Sequence, residues 1–162
     1  MIAKHYIDTP IGRLEISGSA RGLRRVRKYE GSPRPTEALP APVKQAAVQL
    51  EEYFAGKRRD FEVQFDWGEA TAFNRSGWQA LLTIPYGRTT SYSMIAEQVG
   101  NPSAVRAVGL ANRNNPIAII VPCHRVIAKN GQLQGYFYGL DTKRYLLQLE
   151  NPLSFATQGS LF

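Results

Sequence analysis

Hydrophobic and polar residues alternate along the first third of the chain, and this alternation predicts β-strands with one buried face. The alternation covers residues 6–7, 14–16 and 23–29, with a turn-forming segment at Thr9–Gly12. Four basic residues between positions 24 and 28 alternate with Leu23 and Val26. We therefore assign these basic side chains to the solvent face of a strand rather than to a binding patch.

The apolar spacing becomes helical after a proline-rich stretch at residues 31–42, which predicts a loop. Residues 43–54 predict a helix that ends at Gly56, and residues 61–65 alternate once more as a strand. The composition changes near residues 66–71, where we place a domain boundary.

The second half of the chain predicts several short helices. Residues 73–82 form the first, and Ser91 caps a second that runs to Val99. Asn101-Pro102 then predicts the cap and first turn of a third helix, from Ser103 to about residue 111. Two short helices joined by a tight turn are typical of a helix-turn-helix, although helical hairpins that bind no DNA share the pattern.

The remaining segments complete the predicted fold class, an α/β region followed by an α-rich region. The apolar run Ile117–Val121 predicts a buried strand, and Asn130-Gly131 predicts a tight turn. Asp141 or Thr142 opens a last helix with leucines on its apolar side.

Composition narrows the class of protein. The chain has 162 residues, 43% of them apolar, which is enough for a core. A single cysteine excludes an intramolecular disulfide and a Cys₄ zinc site. No apolar run approaches the roughly 20 residues of a membrane span, and the start lacks a secretory signal. We expect a cytoplasmic protein that does not bind membranes, metals or cofactors.

The net charge of +7 lies mostly in the second half of the chain. Residues 1–70 carry 12 basic and 10 acidic groups, whereas residues 71–162 carry 8 basic and 3 acidic groups. Such a basic region suits a polyanion such as nucleic acid, although positive charge also serves solubility. Arg106 would project from the third short helix between small residues that let the helix approach a surface closely.

The chemistry of the chain concentrates at Cys123, which is followed by His124 and Arg125. An imidazole or a cation beside a thiol favours the nucleophilic thiolate, whereas a lone cysteine in other settings is often buried and inert. Adjacent side chains of an extended strand point to opposite sides, so Cys123 and His124 require a turn after Pro122 or a bridging water. Glu150 is a candidate to orient His124.

These residues resemble the active-site signature of the O6-alkylguanine-DNA alkyltransferase family, which the segment Pro122–Val126 matches. The resemblance covers residues 71–150 closely and the hairpin near Thr9–Leu14 more loosely. Further matching segments occur in the family's order: residues 84–87, 91–92, 106–109, 115–116, 130–131, 135–136 and 143–150.

The resemblance implies a role for each matching residue in the reaction. Cys123 would take an alkyl group from O6 of guanine, or from O4 of thymine, and would keep it as a thioether, so each molecule would act once. His124 would be the base acting through a water, and Glu150 would hold that histidine. Tyr92 would serve the departing guanine and crowd a DNA phosphate.

The resemblance also implies how the lesion is reached. Arg106 would fill the stack after the base rotates out, with Ala107 and Gly109 beside it on the DNA-binding helix, and Asn115 would brace a hinge. The base pocket would comprise Val126, Tyr136, Phe137 and Tyr138, with the carbonyls of Cys123 and Val126 accepting from the guanine amine. For Tyr136, a plain core aromatic is an equally good interpretation.

The resemblance implies a ribonuclease-H-like α/β support domain at residues 1–70, a winged-helix-like domain at 71–150 for DNA binding and alkyl transfer, and a tail at 151–162. The expected partner is double-stranded DNA containing O6-alkylguanine, with no obligate protein partner and a monomeric state. Two other functions stay open from the residues alone. A non-catalytic lesion binder would explain the basic half but not Cys123-His124, and a cysteine hydrolase would explain the thiol but not the helix-turn-helix.

Overall fold

The computed structural model describes residues 1–128, 130, 131, 133, 135, 136 and 138–153. The chain forms two compact units. One comprises Met1–Glu69 and Pro116–Ile120, and the other comprises Ala70–Asn115 and Val121–Phe162. Among the described residues, none of the helices combines the length and the hydropathy that a membrane span requires.

The first unit is an antiparallel three-stranded sheet with one helix packed on it. The strands are β1 (Ala3–Thr9), β2 (Gly12–Ser19) and β3 (Gly22–Lys28), in the order β1-β2-β3. The helix α1 (Ala41–Phe54) packs against all three strands. Leu14, Ile16, Leu23 and Val26 are buried, whereas Arg24 and Arg25 are exposed, as the alternation predicts.

The predicted strand at residues 61–65 is wrong, because this segment does not continue the sheet. Only Phe65 forms an isolated bridge to Leu23, whose backbone N–H donates to the Gln64 carbonyl at 2.7 Å. The proline-rich loop also ends earlier than predicted. Pro40 is the N-cap of α1 and Pro42 lies in its first turn, where the missing N–H costs no helical hydrogen bond.

The predicted strand at Ile117–Val121 is also wrong, although all five residues are buried. Ile117 forms a single bridge to Val26, and the chain then turns sharply. Ile119 has a φ of 72°, and the Ile120 N–H donates to the Ala118 carbonyl at 2.8 Å, which closes a three-residue turn. The run is apolar because it is buried, not because it is extended.

The second unit is helical with a small parallel pairing of two short strands. Its helices are α2 (Ala72–Leu81), α3 (Tyr92–Gln98), α4 (Val105–Arg113) and α5 (Leu140–Glu150). The strands are β4 (Thr90–Ser91) and β5 (Val126–Ile127). In the core of this unit, the Trp78 indole N–H of α2 donates to the Ala111 carbonyl of α4 at 2.9 Å.

Helices α3 and α4 form the predicted helix-turn-helix with one difference at the turn. The Ser91 hydroxyl accepts from the Met94 N–H at 3.2 Å and caps α3 as predicted, and Gly100 follows with a φ of 86°. The predicted cap at Asn101 is wrong, because α4 begins only at Val105. Asn101 instead uses its side chain inside the turn, where its Oδ1 accepts from the Ser103 hydroxyl at 2.8 Å.

The last helix begins slightly before the predicted position. The N-cap of α5 is Gly139, with a φ of 91°, rather than Asp141 or Thr142. The predicted turn at Asn130-Gly131 is present, since the Gly131 N–H donates to the Ala128 carbonyl at 2.9 Å. Of the tail at 151–162, residues 154–162 lie outside the described part of the chain.

Candidate active site

Cys123 lies at a sharp change of chain direction that Pro122 initiates. Pro122 has φ −83° and ψ 63°, and the Cys123 N–H donates to the Val121 carbonyl at 2.8 Å, which forms an inverse γ-turn. Cys123–Arg125 then form one turn of 3₁₀ helix, and all three residues are buried. The backbone therefore turns where the Cys-His pair requires a turn.

Glu150, at the end of α5, binds two neighbours of the thiol. The His124 Nε2 lies 2.7 Å from Glu150 Oε2. Arg125 donates from Nε to Glu150 Oε1 at 2.8 Å and from Nη2 to Oε2 at 3.0 Å. All three side chains are buried, so these are charge-assisted bonds at low dielectric. Arg125 also donates to the Ile84 carbonyl at 2.7 Å, which fixes the guanidinium in place.

The contacts within the buried cluster of His124, Arg125 and Glu150 determine the protonation state of each group. Burial alone would raise the pKa of Glu150, but His124 and Arg125 outweigh it and hold the pKa well below its ordinary value. Burial lowers the pKa of His124, against an opposing effect from Glu150. A neutral His124 donates its Nε2 hydrogen to the carboxylate, which leaves the Nδ1 lone pair available. Nδ1 has no hydrogen-bond partner among the described residues.

The Cys123 thiol is fully buried, with 0% of the residue exposed. Burial raises its pKa to about 11, and hydrogen bonds from Asn115 and Tyr136 and the charge of Lys143 oppose the rise only in part. The resting side chain is therefore a thiol, and attack on an electrophile requires that its proton be removed during the reaction.

Asn115 occupies the start of the segment that leads to the thiol. Its Nδ2 donates to the Val121 carbonyl at 2.8 Å, and its side chain also hydrogen-bonds Cys123. This amide therefore bridges the end of α4 to the turn at Pro122.

Lys143 is a buried residue of the site to which the sequence reasoning assigned no role. Its Nζ donates to the Val126 carbonyl at 2.6 Å, and none of the residue is exposed. Its position in the sequence could have indicated this role. Lys143 lies seven residues before Glu150 on the last helix, and a separation of two helical turns places both side chains on one face. Burial lowers the pKa of Lys143 to about 8, although Cys123 opposes the shift.

The lowered pKa of Lys143 should make the free energy of unfolding depend on pH. Between about pH 8 and the ordinary lysine pKa of 10.5, the folded chain has released the Lys143 proton and the unfolded chain still holds it. The unfolded state then binds more protons, so stability rises with pH in this window. We expect the unfolding free energy of the wild type, relative to Lys143→Met, to rise by about 2 kcal/mol between pH 8 and 9.5.

Urea unfolding at several pH values in the presence of a reductant measures this difference. The exposed Lys44→Met exchange on α1 is the matched control. A difference between wild type and Lys143→Met that stays constant across the window would contradict the prediction.

A cleft of about 1110 Å³ lies beside the buried cluster. Its lining includes five of the residues predicted from sequence: Tyr92, Arg106, Ala107, Gly109 and Tyr136. Arg106 and Ala107 are exposed on α4. Cys123, His124, Val126 and Glu150 are not among the lining residues. The thiol is therefore covered, and the Tyr136 side chain that hydrogen-bonds it is part of the cleft lining.

Tyr92 and Tyr136 connect the cleft to the thiol. Burial raises the pKa of both hydroxyls, with a further contribution from the nearby Cys123, so both are neutral donors. Tyr138 contacts Tyr136 edge to face, with ring centroids 5.8 Å apart, but does not line the cleft. Phe137, the fourth predicted pocket residue, lies outside the described residues. The sequence reasoning missed Asn112, which lines the cleft and contacts the Cys123 carbonyl.

Comparison with known proteins identifies the family. Residues 72–152 match the DNA binding domain of 6-O-methylguanine DNA methyltransferase, and residues 2–67 match its ribonuclease-like domain. A methylated-DNA–protein-cysteine methyltransferase of Mycobacterium tuberculosis is 49% identical over 154 residues, covering 93% of each chain.

Solved structures agree with this assignment. A crystal structure of Mycobacterium tuberculosis O6-methylguanine methyltransferase matches with a TM-score of 0.82 and 46% identity over 97% of each chain. A structure of the Mycobacterium tuberculosis protein in complex with DNA matches with a TM-score of 0.79 and 50% identity over 91% of each chain. The predicted fold class, a ribonuclease-like α/β domain followed by a helical DNA-binding domain, is confirmed. The chain belongs to the O6-methylguanine DNA methyltransferase family.

Proposed function

We propose that this protein repairs DNA by moving the alkyl group of O6-alkylguanine onto its own Cys123, once per molecule. The observation that carries the proposal is the arrangement around the thiol. Cys123 precedes a neutral His124 whose Nε2 is held by Glu150 at 2.7 Å, while Nδ1 has no partner among the described residues. That nitrogen is the acceptor for the thiol proton.

The transfer is a single displacement at the alkyl carbon. The sulfur forms a bond to that carbon as the bond between the carbon and O6 breaks. The electron pair of the broken bond leaves with the guanine. The thiol proton passes through a water to His124 Nδ1 and is then released to solvent, and the departing guanine anion takes up one proton from water. The Tyr92 hydroxyl donates a hydrogen bond to the leaving base, which makes it a better leaving group. The thioether product has no simple route back, so the protein is consumed.

The lesion reaches the thiol only after it leaves the base stack. Extrusion of a nucleotide costs a few kcal/mol and is easier where pairing is weakened. Arg106 is an exposed long side chain on α4, and the neighbouring Ala107 and Gly109 allow the helix to approach DNA closely. In this proposal Arg106 enters from the minor groove and fills the space that the base vacates.

Arg106→Ala is expected to separate capture of the lesion from chemistry. We expect the rate of transfer from duplex O6-methylguanine to fall about tenfold or more, because a loss of about 1.4 kcal/mol in stabilising the extruded state is a factor of ten. Transfer from the free base should change little, since no stack has to be filled. Single-turnover rates with both substrates measure this difference. Arg75→Ala, an exchange of an exposed arginine on α2, is the matched control. Equal losses with both substrates would contradict the role.

Mass spectrometry after one exposure to lesion duplex tests the function itself. The tryptic peptide 114–125 contains Cys123 and should gain one methyl group in place of one hydrogen, with no further turnover. An unmodified peptide with retained DNA binding would favour the lesion binder. Repeated turnover of an ester or amide would favour the hydrolase.

The remaining assignments belong to the same proposal. Residues 1–70 serve as the support domain, residues 71–150 bind DNA and carry the chemistry, and 151–162 form the tail. Asn115 braces the hinge, and the base pocket comprises Val126, Tyr136, Phe137 and Tyr138. The partner is double-stranded DNA with O6-alkylguanine, and O4-alkylthymine is a second substrate to test. The protein acts as a cytoplasmic monomer without a cofactor.

A further inference from the structure

The sheet of the first unit presents two chemically different faces. One face carries the buried aliphatic side chains and packs against α1. The register of the strands places basic side chains from all three strands on the other face: Lys4 from β1, Arg13 from β2, and Arg25 and Arg27 from β3. The proposed function uses none of these residues.

Two of these four cations have acidic partners on the same face of the sheet. The Arg27 Nε donates to Oε1 of the buried Glu15 at 2.9 Å. The Arg13 Nε donates to Asp8 Oδ1 at 3.0 Å. The charges of Arg13 and Arg27 are therefore compensated within the sheet itself.

Lys4 and Arg25 differ from the other two cations, because both are exposed and neither forms a salt bridge with any of the described residues. Lys4 is within electrostatic range of Glu15 but makes no ion pair with it. Lys4 pairs with Ser17 across β1 and β2, and Ser17 pairs with Arg25 across β2 and β3. The three residues thus form one row across the sheet. Since adjacent strands are about 4.8 Å apart, the row spans about 10 Å of backbone.

The place of Arg25 in this row depends on an irregularity in the pairing of β2 with β3. Ser17 pairs with Arg25 and Gly18 pairs with Leu23, so Arg24 is an additional residue without a partner on β2. In a regular ladder Arg24 would lie opposite Ser17 instead. A bulge of this kind re-aims the side chains beside it, and this one brings the unpaired Arg25 into line with Ser17.

A serine hydroxyl between two unpaired cations suits a phosphate group. The cations offset its charge, and the hydroxyl donates a hydrogen bond to its oxygen. A second copy of this chain is a poor occupant of the row, because the chain carries a net charge of +7 and would repel itself. Duplex DNA carries one negative charge per about 1.7 Å of helix axis, and the proposed function already brings it to the protein.

We propose that Lys4, Ser17 and Arg25 form a phosphate-binding row on the first unit, which adds to the affinity of the protein for duplex DNA. The identity of the polyanion rests on the proposed function. Phosphate contacts position a protein on DNA and carry no sequence information directly. The row therefore contributes equally to the binding of damaged and undamaged duplex, whereas Arg106 acts only where a base is extruded.

The double substitution Lys4→Ser plus Arg25→Ser tests the row. Fluorescence anisotropy with a labelled undamaged duplex measures the affinity at several salt concentrations. Each lost phosphate contact removes about 0.9 from the slope of log affinity against log salt, so the slope should flatten by about 1–2. Lys44→Ser plus Lys57→Ser removes two exposed cations from α1 and the turn after it and is the matched control. The slope of this control should equal that of the wild type.

The outcomes separate this inference from the proposed function. Lys4→Arg plus Arg25→Lys keeps both charges and should keep the affinity and the slope. Equal flattening in the row variant and its matched control would show a loss of net charge alone and would overturn the inference. Unchanged duplex affinity, with weaker binding of the row variant to phosphatidylglycerol vesicles, would assign the row to a membrane surface and overturn it as well. Absence of methyl transfer from lesion duplex to the wild type would overturn the proposed function, and thermal unfolding checks the fold of each variant.

Discussion

Cys123→Ala should transfer no alkyl group while the chain still binds lesion-containing duplex DNA. The side chain that is lost is the proposed nucleophile, and no other residue of the chain carries a thiol. The residue is fully buried and small, so alanine leaves only a minor cavity, and the exposed surface of α4 is unchanged. Transfer is measured as the methylated fraction of peptide 114–125, and binding by fluorescence anisotropy with labelled duplex.

Measuring methyl transfer and DNA binding together distinguishes loss of the nucleophile from misfolding of Cys123→Ala. Loss of binding together with transfer would indicate that the variant is misfolded, which thermal unfolding detects directly. Methyl transfer to another side chain of Cys123→Ala would contradict the assignment of the nucleophile. Binding should weaken steeply with added salt in both proteins, because phosphate contacts release counterions.

Glu150→Gln should be both much less stable and much slower than the wild type. The substitution leaves the Arg125 guanidinium buried without its counter-charge, and breaking one partner of a buried pair costs about 3–5 kcal/mol. It also removes the carboxylate that fixes the His124 tautomer, and loss of an oriented general base lowers rates by about 10²–10⁴-fold. Urea unfolding and single-turnover transfer at matched temperature measure the two effects.

The stability difference between wild type and Glu150→Gln should change with pH if it comes from the buried charge of Glu150. A general packing defect would give a difference that does not change with pH. The pKa of Glu150 is depressed in the folded state, so its stabilising contribution is present above its ordinary pKa and is lost as pH falls below that value. The stability difference between wild type and Glu150→Gln should therefore shrink in acid. Glu51→Gln, on the exposed side of α1, is the control. A small difference in unfolding free energy between wild type and Glu150→Gln at neutral pH would contradict the prediction.

The alternation of residue types was sufficient to predict the sheet of the first unit, because the two faces of β1 and of β3 differ in exposure and pairing between neighbouring strands is local. It did not predict that the central strand β2 is buried on both faces from Leu14 to Gly18. It failed at residues 61–65 and 117–121 for one physical reason. Burial on one side makes a segment apolar whether or not its backbone pairs with a strand. A backbone turn such as the one at Ile119 has no composition signal, since an isoleucine rarely adopts a positive φ.

The sequence predicted the features of the site that depend on residue type. It predicted only in part the features that depend on how the helices pack. Cys123 and His124 are adjacent in sequence, whereas Glu150 was only a candidate partner of His124 from the residues alone, and the family resemblance supplied the pairing. The closure of the thiol beneath the cleft, the buried amine of Lys143 and the contact of Asn112 with the Cys123 carbonyl depend on how α4 and α5 pack. No local pattern encodes those distances.

The complete burial of the sulfur and its raised pKa have a consequence for a molecule that is used up by one event. Peroxides and stray electrophiles attack accessible thiolates, and a thiol with a pKa of about 11 at 0% exposure offers them neither charge nor access. The resting thiol should therefore react slowly with oxidants, which leaves it available for the proposed transfer.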